Sequence, residues 1–149
     1  MLTNKGKYGL KAMVHLAGAE PGRLVLVSNI AVANAIPKKF LDAILAELRN
    51  AGFVFSRKGK GGGYALARAA SEIRVGDIVR ALDGPLAPIP CASQAFYRRC
   101  DDCGDERGCS VRLIMAKARD AISAVLDQHT LADMRALSDS DLDALTYHI

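Results

Sequence analysis

Residues 28–66 read SNIAVANAIPKKFLDAILAELRNAGFVFSRKGKGGGYAL. A short helical pattern runs from Ser28 to Asn34, and a break with Pro37 follows. A second helical pattern then runs to Gly52. Two apolar-alternating runs, FVFS and YALA, flank the segment RKGKGGG. Helix, turn, helix and glycine-tipped hairpin, in that order, is the plan of a winged helix-turn-helix.

The details of this stretch support the plan. Ser28 is placed to cap the first helix, its hydroxyl accepting an orphan backbone N–H. Pro37 suits the first position of the second helix, where its missing N–H costs nothing. Leu41, Ile44, Leu45 and Leu48 share one face of that helix at about 100° per residue. Lys39, Asp42, Ala43 and Ala46 lie roughly opposite, with Lys38 nearer the edge. Gly52 is the expected C-terminal stop. Phe53 and Phe55 alternate on one strand, and Tyr64 and Leu66 on the other. Arg57, Lys58 and Lys60 stand among the glycines of the tip, which supply positive φ and close backbone approach. A phosphate-cradling P-loop is excluded. It needs GxxxxGK[ST] opening a helix, whereas here Lys60 precedes the glycine triplet and a strand follows.

Upstream, Leu10, Met13, Val14 and Ala17 recur at three and four, which predicts a helix from about Lys5 to Ala19. Glu20-Pro21-Gly22 ends it, and Leu24 to Val27 suits a short strand or an extended lead-in. Downstream, Ile73-Arg74-Val75 alternates as a third short strand. Gly76 to Leu82 reads as a helix closed by Asp83-Gly84-Pro85. The segment from Pro85 to Gly108 has no helical period and reads as a long loop, a type that is usually functional or disordered. Ser110 to Gln128 is the longest helical pattern, with Val111, Met115, Ala118, Ile122 and Val125 in one stripe. Such a stripe suits a two-stranded dimer seam, or packing back on the chain's own first helix. Thr130-x-x-Asp133 and Ser138-x-x-Asp141 resemble capping boxes. They predict short C-terminal helices that include Leu142, Leu145, Tyr147 and Ile149.

Charge and composition narrow the function classes. Residues 1–60 hold ten Lys/Arg against three acids, a net of +7. The remaining residues hold ten against thirteen, a net of −3. A basic front half carrying a helix-turn-helix predicts a polyanionic partner. No apolar run approaches the roughly 18 to 20 residues that cross a bilayer, and the N-terminus lacks a signal-peptide core. The expected location is the cytoplasm, with no membrane partner. An enzyme is not expected, because His15, His129 and His148 are scattered and no His/Asp/Ser constellation appears. All four cysteines, Cys91, Cys100, Cys103 and Cys109, lie within 19 residues. In a cytosolic chain, clustering points to metal, an iron–sulfur centre or a redox switch.

The stretches LTNKGKYGLKAM, ANAIPKKFLDAILAELRNAGFV, SRKGKGGGYALAR and IRVGDIVRALDGP resemble those of the IscR/NsrR/CymR-type winged-helix transcription regulators. The resemblance covers about residues 2–136. It implies a mostly α fold with a small β-hairpin wing and a long dimerisation helix. The implied divisions are a DNA-binding domain over 1–84, a sensor loop over 85–109, and dimerisation and C-terminal helices over 110–149. The implied function is that of a homodimeric, sequence-specific DNA-binding regulator, reading duplex DNA with a pseudo-palindromic operator. Its DNA affinity would be switched by a cysteine-ligated iron–sulfur cluster or by cysteine redox state. Thr3, Lys5, Lys7, Ser28, Pro37, Lys38, Lys39, Phe40, Asp42, Arg57, Lys58 and Lys60 are the implied DNA contacts. Lys38, Lys39 and Asp42 are expected at base edges, and Phe40 packed at the helix entrance.

IscR-like members carry Cys, a short gap, Cys-x5-Cys and a His three residues on. Here Cys91, Cys103 and Cys109 match the cysteines, but Arg112 stands at the His position and Cys100 is an extra thiol in a longer gap. His15 and Cys100 are the alternatives for a fourth ligand, Cys100 being the better placed. Four thiolates can hold a 2Fe–2S unit, expected here ahead of 4Fe–4S, or a zinc. Arg98, Arg99 and Arg107 nearby would also favour direct thiol oxidation, against Asp101, Asp102, Asp105 and Glu106. A zinc-stabilised interaction module without sensing is the alternative function.

Overall fold

A computed structural model describes residues 2–147 of the chain. The helices are α1 (Asn4–Ala17), α2 (Val27–Asn34), α3 (Lys38–Asn50), α4 (Val75–Asp83), α5 (Ser110–Gln128) and α6 (Leu131–Tyr147). Strands β1 (Val54–Arg57) and β2 (Gly63–Leu66) lie between α3 and α4. They pair antiparallel, with Val54 opposite Leu66 and Arg57 opposite Gly63. Short 3-10 turns occupy Ala70–Glu72 and Pro90–Ala92.

One apolar core unites α1 to α4. Met13 from α1, Ile30 from α2, Leu41, Leu45 and Leu48 from α3, and Ile78 from α4 are all buried. They are the residues that a 3.6-residue period turns to one side. Gly9 lets α1 approach α4, since a methyl group there would overlap Leu82. At the wing, Gly63 has φ of 143° and sits against the Val25 carbonyl, with no room for a Cβ. Val25 and Tyr64 exchange hydrogen bonds of 2.8 and 2.9 Å there, so the lead-in to α2 forms an isolated bridge to the hairpin.

Several expectations are corrected. Ser28 does not cap α2. The helix begins one residue earlier at Val27, Leu26 is the N-cap, and no side chain caps it. Pro37 is the N-cap of α3 and not its first helical residue. Phe53 is buried, but Phe55 is 39% exposed, because the inward position of β1 belongs to Val54. Ile73 to Val75 adds no third strand to the hairpin. Arg74 makes a lone bridge to Thr130, and Val75 already starts α4. The C-terminus is one helix over the described residues, since no glycine or proline interrupts it at Ser138. The side chains of Asp141, Leu142, Leu145 and Tyr147, and the whole of Ile149, lie outside the described residues.

Helix α5 runs over the span its periodicity predicts and has no buried residue. It packs on α4 and on the turn at Pro90–Ala92, leaving Val111, Ile114, Ile122 and Val125 exposed. Helix α6 then returns to the core of α1 to α4. Leu131 is fully buried in the same core, and Thr130 caps the helix through a reciprocal pair with Asp133. Those bonds hold the Asp133 carboxyl below its ordinary range.

Candidate DNA-reading surface and cysteine loop

The outward face of α3 follows from its buried face. With Leu41, Ile44, Leu45 and Leu48 turned inward, Lys38, Lys39, Asp42 and Ala43 are exposed. Phe40 does not pack at the helix entrance. It is 64% exposed, because Ile36 takes the buried position there. Lys38 and Asp42 pair at 3.0 Å across one turn.

The wing folds toward this face. Ser28, Lys38, Arg49, Ser56, Arg57, Lys58 and Tyr64 line a cleft of about 340 Å³ between α2, α3 and the hairpin. Arg49 donates to the Ser56 hydroxyl at 3.3 Å. Four cations and three hydroxyls around one concavity suit phosphate oxygens. Arg49 and Ser56 were missed from the sequence, since only the approach of the wing to α3 brings them together. Among the described residues Lys39, Arg57, Lys58 and Lys60 pair with no acid.

The three candidates at the N-terminus differ. Thr3 is the N-cap of α1, accepting from the Gly6 amide at 3.2 Å. Its amide and hydroxyl both donate to the Asp83 carboxylate, at 2.9 and 2.5 Å. Lys5 pairs with Glu47 of α3 at 2.7 Å. Thr3 and Lys5 thus fasten α1 to α4 and α3, while Lys7 is exposed and without such a partner in the described residues.

The loop between α4 and α5 holds all four cysteines. Cys91 is buried in the Pro90–Ala92 turn, while Cys100, Cys103 and Cys109 are half-buried. Glu106 holds this segment together, accepting from the Cys100 amide at 3.3 Å and from the Tyr97 hydroxyl. The Tyr97 bond keeps its carboxyl below the usual range.

Cys109 is the N-cap of α5, its sulfur accepting from the Arg112 amide at 3.5 Å. That amide lowers the Cys109 thiol. Burial raises Cys103, whose sulfur donates to the Asp105 carbonyl at 3.5 Å. The perturbation comes from the start of α5 and from Arg112, not from Arg98, Arg99 or Arg107 as expected. Arg112 also donates to the Cys91 carbonyl at 2.9 Å, and Arg119 to that of Ala92. The residue at the expected His position therefore ties the loop to α5.

Among the described residues no three Cys, His, Asp or Glu side chains are gathered to hold a metal ion. His15 lies elsewhere, against Asn34 at 3.3 Å. Burial and the nearby Arg135 lower its pKa.

Residues 2–136 match the Rrf2 family, described as iron-dependent transcriptional regulators. The chain is 40% identical to an rrf2-like HTH-type transcriptional regulator of Rhodobacter capsulatus, over 91% of this chain and 93% of that one. It superposes on CymR, the global cysteine regulator of B. subtilis, with a TM-score of 0.76 and 33% identity, covering 92% and 97% of the two chains. T. potens IscR gives a TM-score of 0.68 at 34% identity, covering 94% and 88%.

Proposed function

Because the chain belongs to the Rrf2 family of transcriptional regulators, we propose that it is a homodimeric, sequence-specific DNA-binding regulator controlled through its cysteine loop. The relatives it matches are regulators and not enzymes. The observation that carries the reading is the cleft between α3 and the wing, where Lys38, Arg49, Arg57 and Lys58 converge beside the exposed face of α3. In this reading α3 enters the major groove. The wing cations follow the minor groove, where narrow A·T-rich tracts attract them. Residues 1–84 form the reading head, 85–109 the sensor loop, and α5 the dimer seam through Val111, Ile114, Ile122 and Val125. A two-fold dimer reads a pseudo-palindrome.

The test is the salt dependence of binding to an operator selected from random duplexes. Each lost phosphate contact lowers the log–log slope by about 1. The triple variant Arg57→Ala, Lys58→Ala, Lys60→Ala is expected to bind more weakly with a shallower slope. Unchanged affinity and slope would contradict the reading.

An iron–sulfur cluster on the loop is the second reading, favoured by the iron dependence that names the family. The visible spectrum of anaerobically purified protein decides it, since a brown protein carries a cluster. A colourless protein with stoichiometric zinc would instead support the structural module.

A further inference from the structure

We propose that Phe40 is a sequence-reading residue, its ring meeting the C5-methyl group of one thymine in each half-site of the operator. The inference rests on the DNA-binding reading above and adds to it one base and the group on that base that is read.

Three observations carry it. Phe40 stands in the first turn of α3 and is 64% exposed, while Ile36 and Leu41 on either side of it are buried. It is the most exposed aromatic side chain within residues 1–84. Leu41, Ile44, Leu45 and Leu48 already anchor the helix in the core, so the fold does not need the ring. At about 100° per residue the open face of α3 runs from Phe40 through Ala43, Lys39 and Ala46 to Asp42 and Lys38. Phe40 is thus the edge of that face opposite the wing cleft, which Lys38 lines. Ala43 is exposed and Ala46 half-buried, and with only methyl groups there α3 can sit deep in a groove. Glu47, two turns further along the Phe40 edge, is engaged by Lys5 at 2.7 Å.

The chemistry of the ring selects the group it meets. A phenyl ring carries neither a charge for phosphate nor a donor or acceptor for the polar edges of bases. What it gains from a partner is apolar surface removed from water. The major groove presents donors, acceptors and a single apolar group, the C5-methyl of thymine. The N-terminal residues of a recognition helix are the ones that meet base edges. Phe40 is the third residue of α3 and the one large apolar side chain exposed on it. Lys39 and Asp42 on the same face answer polar groups, so the methyl is what is left to Phe40. Such a contact releases no counterion, which separates it from a contact to phosphate.

The test selects an operator for the full-length protein from random duplexes, then replaces each thymine in turn with deoxyuridine, which lacks the methyl and keeps the base pairing. Wild type is expected to lose about 4-fold in affinity at one thymine of a half-site, and roughly 15-fold when both half-sites carry the change. Phe40→Ala is expected to bind the thymine operator at least as weakly as wild type binds the deoxyuridine one. It should no longer distinguish the two duplexes, and its log–log salt slope should match that of wild type. Phe40→Leu, which keeps an apolar side chain, should retain part of the discrimination. An operator in which no deoxyuridine weakens binding would overturn the proposal, as would a Phe40→Ala protein that discriminates as well as wild type. A shallower salt slope for Phe40→Ala would also overturn it, by making the contact one to phosphate, and so would a melting temperature well below wild type, by placing the ring in the fold. Wild type that selects no motif at all would instead remove the DNA-binding reading, and this inference with it.

Discussion

Asp42 is the residue on α3 with the most to say about sequence preference. It pairs with Lys38, which precedes it by one turn. A cation before an anion is the weaker order for such a pair, and it lies at the helix end that disfavours positive charge. A duplex can therefore break it and leave the carboxylate to accept from cytosine N4, a contact worth about 1 to 3 kcal/mol of discrimination. Asp42→Ala is expected to relax the selected motif more than it weakens non-specific binding. Selection from random duplexes that returns one motif for both proteins would contradict this. Asp127 makes a different prediction. Arg80 grips it through two bonds of 2.7 Å between α4 and α5, and this contact holds the carboxyl below its ordinary range. A depressed carboxyl adds stability above its unfolded pKa of about 3.9, and the contribution is lost as pH falls through the folded value. Asp127→Asn should therefore lose less melting temperature than wild type on acidification below about pH 4, as calorimetry across that range would show. Lys38, Lys39 and Asp42 were legible in the sequence because the leucine period of α3 fixes its outward side. Arg49, Ser56 and Arg112 were not, since each acquires its partner only when the wing or the loop closes on a helix.

Among elements, those with a strong period were legible nearly to the residue. Helix α5 is the plainest case, its stripe marking both ends from Ser110 to Gln128. The misreadings fall where tertiary contact outweighs local pattern. Val54 and not Phe55 turns inward on β1, and Arg74 bridges to Thr130 instead of joining the hairpin. The exposed stripe of α5 predicts that Ile122→Asp with Val125→Asp gives a monomer that no longer binds its operator specifically. A dimeric, operator-competent double variant in sedimentation would show that the seam lies elsewhere. The wing carries its own prediction. Gly63→Ala forces a side chain into positive φ and against the Val25 carbonyl, strain of order 1–3 kcal/mol. The variant should melt several degrees lower and bind DNA less well at temperatures where the wild type is folded. An unchanged melting curve would mean that the hairpin does not depend on that approach.

At the scale of the molecule, the described residues form a closed circuit of ties. Lys5 joins α1 to α3, Thr3 joins α1 to α4 through Asp83, and Arg80 joins α4 to α5 through Asp127. Arg112 and Arg119 join α5 to the backbone of the cysteine turn. Movement at the start of α5 is thus set against the reading head at its other end. Helix α6 closes the circuit by placing Leu131 in the core of the head, a burial of order 2 kcal/mol. This return bears on modularity. In many regulators a reading head can be cut free and grafted to a foreign sensor like an interchangeable part. Here the last helix supplies part of the head's own interior, so head and lever are a single inheritable unit. A chimera that joins residues 1–84 to a foreign helix would carry an open hole where Leu131 belongs, and only one that brings residues 129–136 along restores it.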